Sequence, residues 1–160
     1  MSAEIVAFRR PSRTAVPDAL VLAIAELRAL IALDSVMGAS PVRPYFVLNP
    51  AACAMVGACV TRPSGGPGAA DAYALVAYDF PFALHSLDSM MERGIPPERA
   101  REIVLLSAEL QQETLRRAAS ALGIAAQAVE VVDARALKLT FFPKTQETVV
   151  HVFRLSLARS

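Results

Sequence analysis

Residues 98–122, ERAREIVLLSAELQQETLRRAASAL, form the longest regular pattern of the chain and decide its architecture. Strong helix formers fill this stretch, acidic residues lie near its start, and Gly123 follows its end. Because acidic side chains favour the beginning of a helix and glycine favours the position just after it, we predict one helix of about 25 residues. The break at residues 94–97, Gly-Ile-Pro-Pro, separates this helix from the elements before it.

Helical and extended patterns alternate on either side of this long helix. Apolar residues at helical spacing predict further helices at residues 18–36, 80–91 and 134–142. Short apolar runs bounded by turn residues predict strands at residues 45–48, 72–78, 128–132 and 148–157. Residues 51–60 fit either a helix or a strand. Residues 61–71, rich in glycine and proline, predict a surface loop, and they lack the lysine and the strand-to-helix context of a phosphate loop.

Together these elements predict one domain, residues 1–160, of the α/β class and α+β type, with a central mixed sheet flanked by helices and one long central helix. The length of 160 residues is that of one ordinary domain. The apolar fraction of 54% exceeds the roughly 45–50% usual for globular domains, so we expect apolar surface to face a partner or a cofactor. The order of elements leaves strand order and direction open.

The charge pattern and the apolar segments argue against several classes of protein. The formal net charge is +1, and the basic residues are scattered among the acidic ones, which argues against a nucleic-acid partner. The apolar stretches at residues 19–24 and 51–60 are shorter than the about 20 residues that a membrane helix needs. The first residues carry no secretory signal pattern, so we predict a cytoplasmic protein without a membrane segment.

Cysteine, histidine and aromatic residues form no pattern of a metal or catalytic site. Cys53 and Cys59 fit neither a zinc site nor a redox motif, so both are interpreted as buried thiols. His85 and His151 have no metal-ligand partner at the required spacing and are interpreted as structural. Three aromatic residues next to apolar strands are expected in the core, namely Tyr45, Phe80 and Phe82. No metal is predicted, and no catalytic side chain is identified.

Two stretches carry a resemblance to a known family. AYALVAYDFPFAL, residues 72–84, is similar to a strand followed by an aspartate and an aromatic residue. LRRAASALGI, residues 115–124, is similar to the end of a central helix with an alanine pair, a leucine, a glycine and an aliphatic residue. Both resemble the nitroreductase family, flavoenzymes whose FMN lies between two subunits of an intertwined dimer. The chain after Asp133 resembles the short helix, turn and closing strand of that family.

The N-terminal residues 9–13, RRPSR, resemble the basic motif that binds the FMN phosphate in this family. Guanidinium groups and a hydroxyl suit a dianionic phosphate. Pro11 stands where the family has its serine, and Ser12 is one position later. The resemblance implies that four residues hold the cofactor phosphate, namely Arg9, Arg10, Ser12 and Arg13.

Two later segments resemble further cofactor contacts. ASPVRPYFVL, residues 39–48, is similar to the family segment that contacts the flavin before a strand, which implies Ser40 as a flavin ligand. Val42 and Arg43 occupy the region where the family has an asparagine and a glutamine. Arg159 follows the closing strand, where the family places an arginine that returns to the phosphate. The resemblance therefore implies Arg159 as a late phosphate ligand.

The resemblance implies an FMN-dependent oxidoreductase that exchanges hydride between NAD(P)H, the flavin and a small organic substrate. The partner is expected to be a second copy or a related subunit. Since the flavin carries out the hydride chemistry, this function needs no acid–base pair from the chain. The altered flavin-contact segment keeps a second hypothesis open, a non-catalytic accessory subunit that has lost or shares the flavin and acts in assembly. A third hypothesis is an unrelated α/β interaction module.

Overall fold

The computed structural model describes residues 16–34, 41–61 and 72–158, and these contain five helices and four strands. The helices are α1 (Asp18–Asp34), α2 (Pro50–Cys59), α3 (Phe80–Glu92), α4 (Pro97–Ala121) and α5 (Ala134–Phe141). The strands are β1 (Val42–Val47), β2 (Ala72–Asp79), β3 (Ile124–Val129) and β4 (Glu147–Leu157). The predicted long helix is therefore present as α4, with Gly123 in a positive-φ conformation directly after it.

The four strands form one sheet in the order β1-β2-β4-β3, and every neighbouring pair is antiparallel. The α+β type is confirmed, but the predicted mixed sheet is wrong for the described strands. The reason lies in the position of β4. Strands β2 and β3 run in the same direction, yet β4 lies between them and pairs antiparallel with both. The two strands that run in the same direction, β2 and β3, are therefore not neighbours, and the sheet contains no parallel pair among the described strands.

Capping residues explain where three of the helices begin. Asn49 accepts hydrogen bonds from the backbone N–H groups of Ala51 (2.9 Å) and Ala52 (3.3 Å), and Pro50 starts α2. An N-cap asparagine followed by proline favours a helix, which settles the ambiguity of residues 51–60. Two aspartates cap α3 and α5 in the same way, Asp79 and Asp133.

Two strands differ from the predicted bounds by more than one residue. Strand β1 begins at Val42 instead of residue 45 and so includes Pro44. It is an edge strand, where a missing N–H costs no ladder hydrogen bond. Strand β3 begins at Ile124 instead of residue 128, because the positive φ of Gly123 turns the chain directly from α4 into the sheet.

The sheet has a buried core on each face. The first core contains Leu20, Ile24 and Leu27 of α1, Leu115 and Ala119 of α4, and Ala72, Ala74, Val76, Phe153 and Leu155 of the strands. The second core contains Val56 of α2, Leu137 of α5, and Tyr73, Leu75, Ala77, Val149 and Val152 of the strands. Alternate residues of β2 enter the two cores, which explains its nearly continuous apolar sequence. Among the described residues, no helix combines the length and apolar character that crossing a membrane requires.

Candidate functional site

The six residues predicted to bind FMN lie outside the described residues, and their roles stay predictions. They are Arg9, Arg10, Ser12, Arg13, Ser40 and Arg159. The structure does place the residues next to two of them. The carbonyl oxygen of Pro41, which follows Ser40, accepts from the Asp79 N–H at one end of β2 (2.7 Å). The N–H of Ala158, which precedes Arg159, donates to the Gly123 carbonyl oxygen (2.8 Å) beyond the opposite end of β2.

The two residues in place of the family's asparagine and glutamine have structural partners. Val42 is buried in the first core. The Arg43 guanidinium lies 3.5 Å from the Asp79 carboxylate on the neighbouring strand. Asp79 also caps α3 by accepting from the Phe82 N–H at 3.1 Å. Val42 therefore packs in the core, and Arg43 pairs with the aspartate that caps α3.

The second face of the sheet carries a groove of about 640 Å³. We call it the β1 groove; it lies between β1, the start of α2 and the chain from Phe141 to Glu147. Its principal lining residues are Tyr45, Val47, Leu75, Phe141, Phe142 and Glu147. The volume falls in the range of about 300–1,000 Å³ that small-molecule sites occupy. The β1 groove is thus mainly apolar and aromatic, with a carboxylate among its lining groups.

Glu147 is the only polar or charged residue that is buried among those the structure describes, with 7% of its surface exposed. Its Oε1 accepts a hydrogen bond from the Tyr45 hydroxyl. The Tyr45 ring meets Phe142 edge-on, with ring centroids 4.9 Å apart. Burial raises the pKa of Tyr45 above 10.0 and the Glu147 carboxylate raises it further, while Arg43 acts in the opposite direction. Tyr45 therefore stays protonated and remains a donor to Glu147.

The turn that leads into β4 is held by a lysine. Lys138 Nζ donates to the backbone carbonyl oxygens of Thr145 (3.0 Å) and Glu147 (2.8 Å). Charged hydrogen bonds of this kind are stronger than neutral ones. They hold the backbone of Glu147 at the start of β4. The Lys138 ammonium group thus has two carbonyl oxygens as its partners.

Several expectations about single residues need correction. Tyr45 is half-buried and makes a polar contact instead of belonging only to the core, and Phe80 is 54% exposed because it starts α3 at the surface. Cys53 and Cys59 are partly buried, since the short α2 covers only part of the second face. Burial, with a smaller effect of Asp133, raises the pKa of the Cys59 thiol, which favours its protonated form.

Glu147 could not be singled out from the sequence, because it is a single acidic residue one position before the predicted strand. His85 and His151 are both exposed, so the core packing that a structural role would require is not seen. Among the described residues, no three histidine, cysteine, aspartate or glutamate side chains gather at a distance that could hold a metal ion.

The antiparallel sheet, the long α4 and the helices on both faces form a nitroreductase-like fold. The chain superposes on ydfN from Bacillus subtilis, a candidate nitroreductase, with a TM-score of 0.60 and 15% identity, over 91% of this chain and 80% of the other. It superposes on CLA-ER, an enone reductase of gut-bacterial fatty acid saturation, with a TM-score of 0.54 and 19% identity, over 85% and 79%. No protein-family model and no curated protein matches the chain. The resemblance is confirmed at the level of the fold.

The β1 groove does not fit the phosphate of FMN. No lysine or arginine is among its described lining residues, and the Glu147 carboxylate would repel a phosphate. The described residues that line the groove therefore suit an uncharged or cationic molecule. The arginines predicted to bind the FMN phosphate lie outside the described residues, and their role stays a prediction.

Proposed function

We propose that this protein is an FMN-dependent oxidoreductase of nitroreductase type, acting on a small organic substrate. The fold is the observation that supports this most, since the chain covers 80% of a candidate nitroreductase and 79% of an enone reductase. When bound, the flavin would supply the hydride transfer, with NAD(P)H as the electron donor. The residues proposed to hold it are Arg9, Arg10, Ser12, Ser40, Arg13 and Arg159.

We further propose that the active form contains two such subunits. Leu105, Leu106 and Leu110 of α4 expose more than half of their surface, and large exposed apolar side chains close together in a helix favour an interaction site. Pro41 and Ala158 lie at opposite ends of a strand whose eight residues span about 23 Å. A cofactor between two copies could meet Ser40 of one and Arg159 of the other. The partner is therefore a second copy or a related subunit.

The surroundings of Val42 and Arg43 favour a second candidate function. The buried Val42 side chain and the Arg43 guanidinium paired with Asp79 offer the flavin ring no substitute for the missing asparagine and glutamine. A subunit with such a segment would bind flavin weakly or share it with a different subunit. The second proposal is thus an accessory relative that acts in assembly.

Titration of the full chain with FMN distinguishes the two proposals. Quenching of flavin fluorescence gives the dissociation constant, and light scattering gives the molar mass of the assembly. We expect stoichiometric binding by a dimer. Arg9→Ala, Arg13→Ala and Arg159→Ala should each weaken FMN about tenfold or more, because each removes a charged hydrogen bond to phosphate.

Arg28→Ala is the matched control, because it removes an exposed arginine of α1 and should leave FMN binding unchanged. A chain that fails to quench FMN at millimolar concentration would contradict the oxidoreductase proposal. If that chain still assembled into a dimer or joined a related subunit, the accessory function would account for the result.

A further inference from the structure

The buried carboxylate in the β1 groove has no role in the proposed flavin chemistry. Glu147 contacts the Tyr45 hydroxyl, and in the described part of the chain no lysine or arginine forms an ion pair with its carboxylate. Two cations of the neighbouring segments have other partners: Arg43 pairs with Asp79, and Lys138 Nζ donates to two backbone carbonyl oxygens. Burying a carboxylate costs free energy unless an opposite charge compensates it. A cation in the groove would supply that compensation.

The rest of the β1 groove suits an apolar body attached to such a cation. The Tyr45 ring, whose hydroxyl contacts the carboxylate, meets the Phe142 ring edge-on, and Val47 and Leu75 also line the groove. Aromatic rings attract cations through their negative faces and also stack on other rings. The volume of about 640 Å³ has room for a small aromatic molecule.

We propose that the β1 groove binds a small arylalkylamine, whose ammonium group donates hydrogen bonds to the Glu147 carboxylate and whose ring lies against Tyr45 and Phe142. The carboxylate selects an ammonium over a hydroxyl, and it rejects an anion of the same shape. The neutral Tyr45 hydroxyl, itself a donor, holds the carboxylate in place. This site needs no flavin, so its test is independent of the test of the oxidoreductase proposal.

Calorimetric titration of the full chain with three ligands of similar shape tests this site. They are 2-phenylethylamine, the neutral 2-phenylethanol and the anion phenylacetate. We expect the amine to bind roughly tenfold or more tightly than the alcohol, and phenylacetate not to bind. Glu147→Gln should weaken the amine by roughly the same factor and leave the alcohol unchanged. The control Glu130→Gln, at an exposed position after β3, should change neither.

Equal affinity for amine and alcohol would overturn the proposal, as would unchanged amine binding by Glu147→Gln or no amine binding up to about 10 mM. If Glu147→Gln fails to fold, Ala52→Phe provides the test, because Ala52 lines the groove at the start of α2. The added ring should occupy the groove with Glu147 intact and weaken the amine about tenfold or more. Amine binding that survives in folded Ala52→Phe would also overturn the proposal.

Discussion

The two faces of the sheet are covered by helices of very different length. The 17 residues of α1 and the 25 residues of α4 flank the first face, whose core contains no polar side chain among its described members. The second face is covered by α2 with 10 residues and α5 with 8. These short helices leave the β1 groove open and Glu147 at its edge. Stability is therefore expected to depend on the first face, and ligand binding on the second.

The largest effect expected from this difference is a cavity in the first core. Leu27 of α1 is fully buried, whereas Leu22 of the same helix is 68% exposed. Leu27→Ala should lower the free energy of unfolding by about 2–5 kcal/mol, because it removes packed methyl groups and leaves a cavity. Leu22→Ala should change it by less than about 0.5 kcal/mol. Urea denaturation followed by circular dichroism measures both, and equal losses would contradict the packing of α1.

A smaller effect is expected from adding atoms to each face. Ala74 of β2 is fully buried in the first core, and Ala52 of α2 lines the β1 groove. Ala74→Leu should cost about 1–3 kcal/mol, because the closed core has no room for the larger side chain. Ala52→Leu should cost less than about 0.5 kcal/mol, because leucine is a good helix former and the groove is open.

The same two denaturation curves show whether the β1 groove exists in solution. If Ala52→Leu proved as destabilising as Ala74→Leu, the groove would be filled by protein and the contrast between the faces would disappear.

The elements with long periodic patterns could be predicted from the sequence. The start of α1 and both ends of α4, the latter to within one residue, follow from apolar spacing and from Gly123, which lies after the end of α4 as predicted. Residues 51–60 could not be assigned, because alanine-rich apolar runs fit both structures and only the Asn49 cap decides between them. Strand β3 begins four residues before its predicted start, and the sequence did not indicate this because alanine has little β propensity.

The β1 groove could not be predicted, because the two residues that form its side-chain hydrogen bond are far apart in the sequence. Tyr45 and Glu147 are separated by 102 positions, and they meet only because β1 and β4 flank β2. Periodicity gives no strand order, so no local pattern could have paired them. The resemblance predicted the fold correctly because the segments that carry it determine secondary structure. Residues 72–84 contain a buried strand and the cap of the following helix, and residues 115–124 contain the end of the long helix.

The smallest expected effect is on the free energy of unfolding at alkaline pH, where one tyrosine on each face of the sheet contributes. Burial raises the pKa of Tyr78, which packs against the first core, and burial together with Glu147 raises that of Tyr45 in the second. In each case the folded state favours the neutral phenol. The stabilisation is therefore fully present below the unfolded pKa of about 10 and is lost as the pH rises through the folded pKa.

Removing either phenol should make the loss of stability above pH of about 10 shallower, and Glu147 should separate the two cases. Tyr45→Phe and Tyr78→Phe are compared with the parent chain by urea denaturation from about pH 8 to about pH 11, so that contributions common to all three chains cancel. In a Glu147→Gln background the effect of Tyr45→Phe should shrink, because one cause of the raised pKa is gone. The effect of Tyr78→Phe should persist, since its pKa is raised by burial alone. A Tyr45 effect that is unchanged in the Glu147→Gln background would mean that the carboxylate does not hold the hydroxyl in solution.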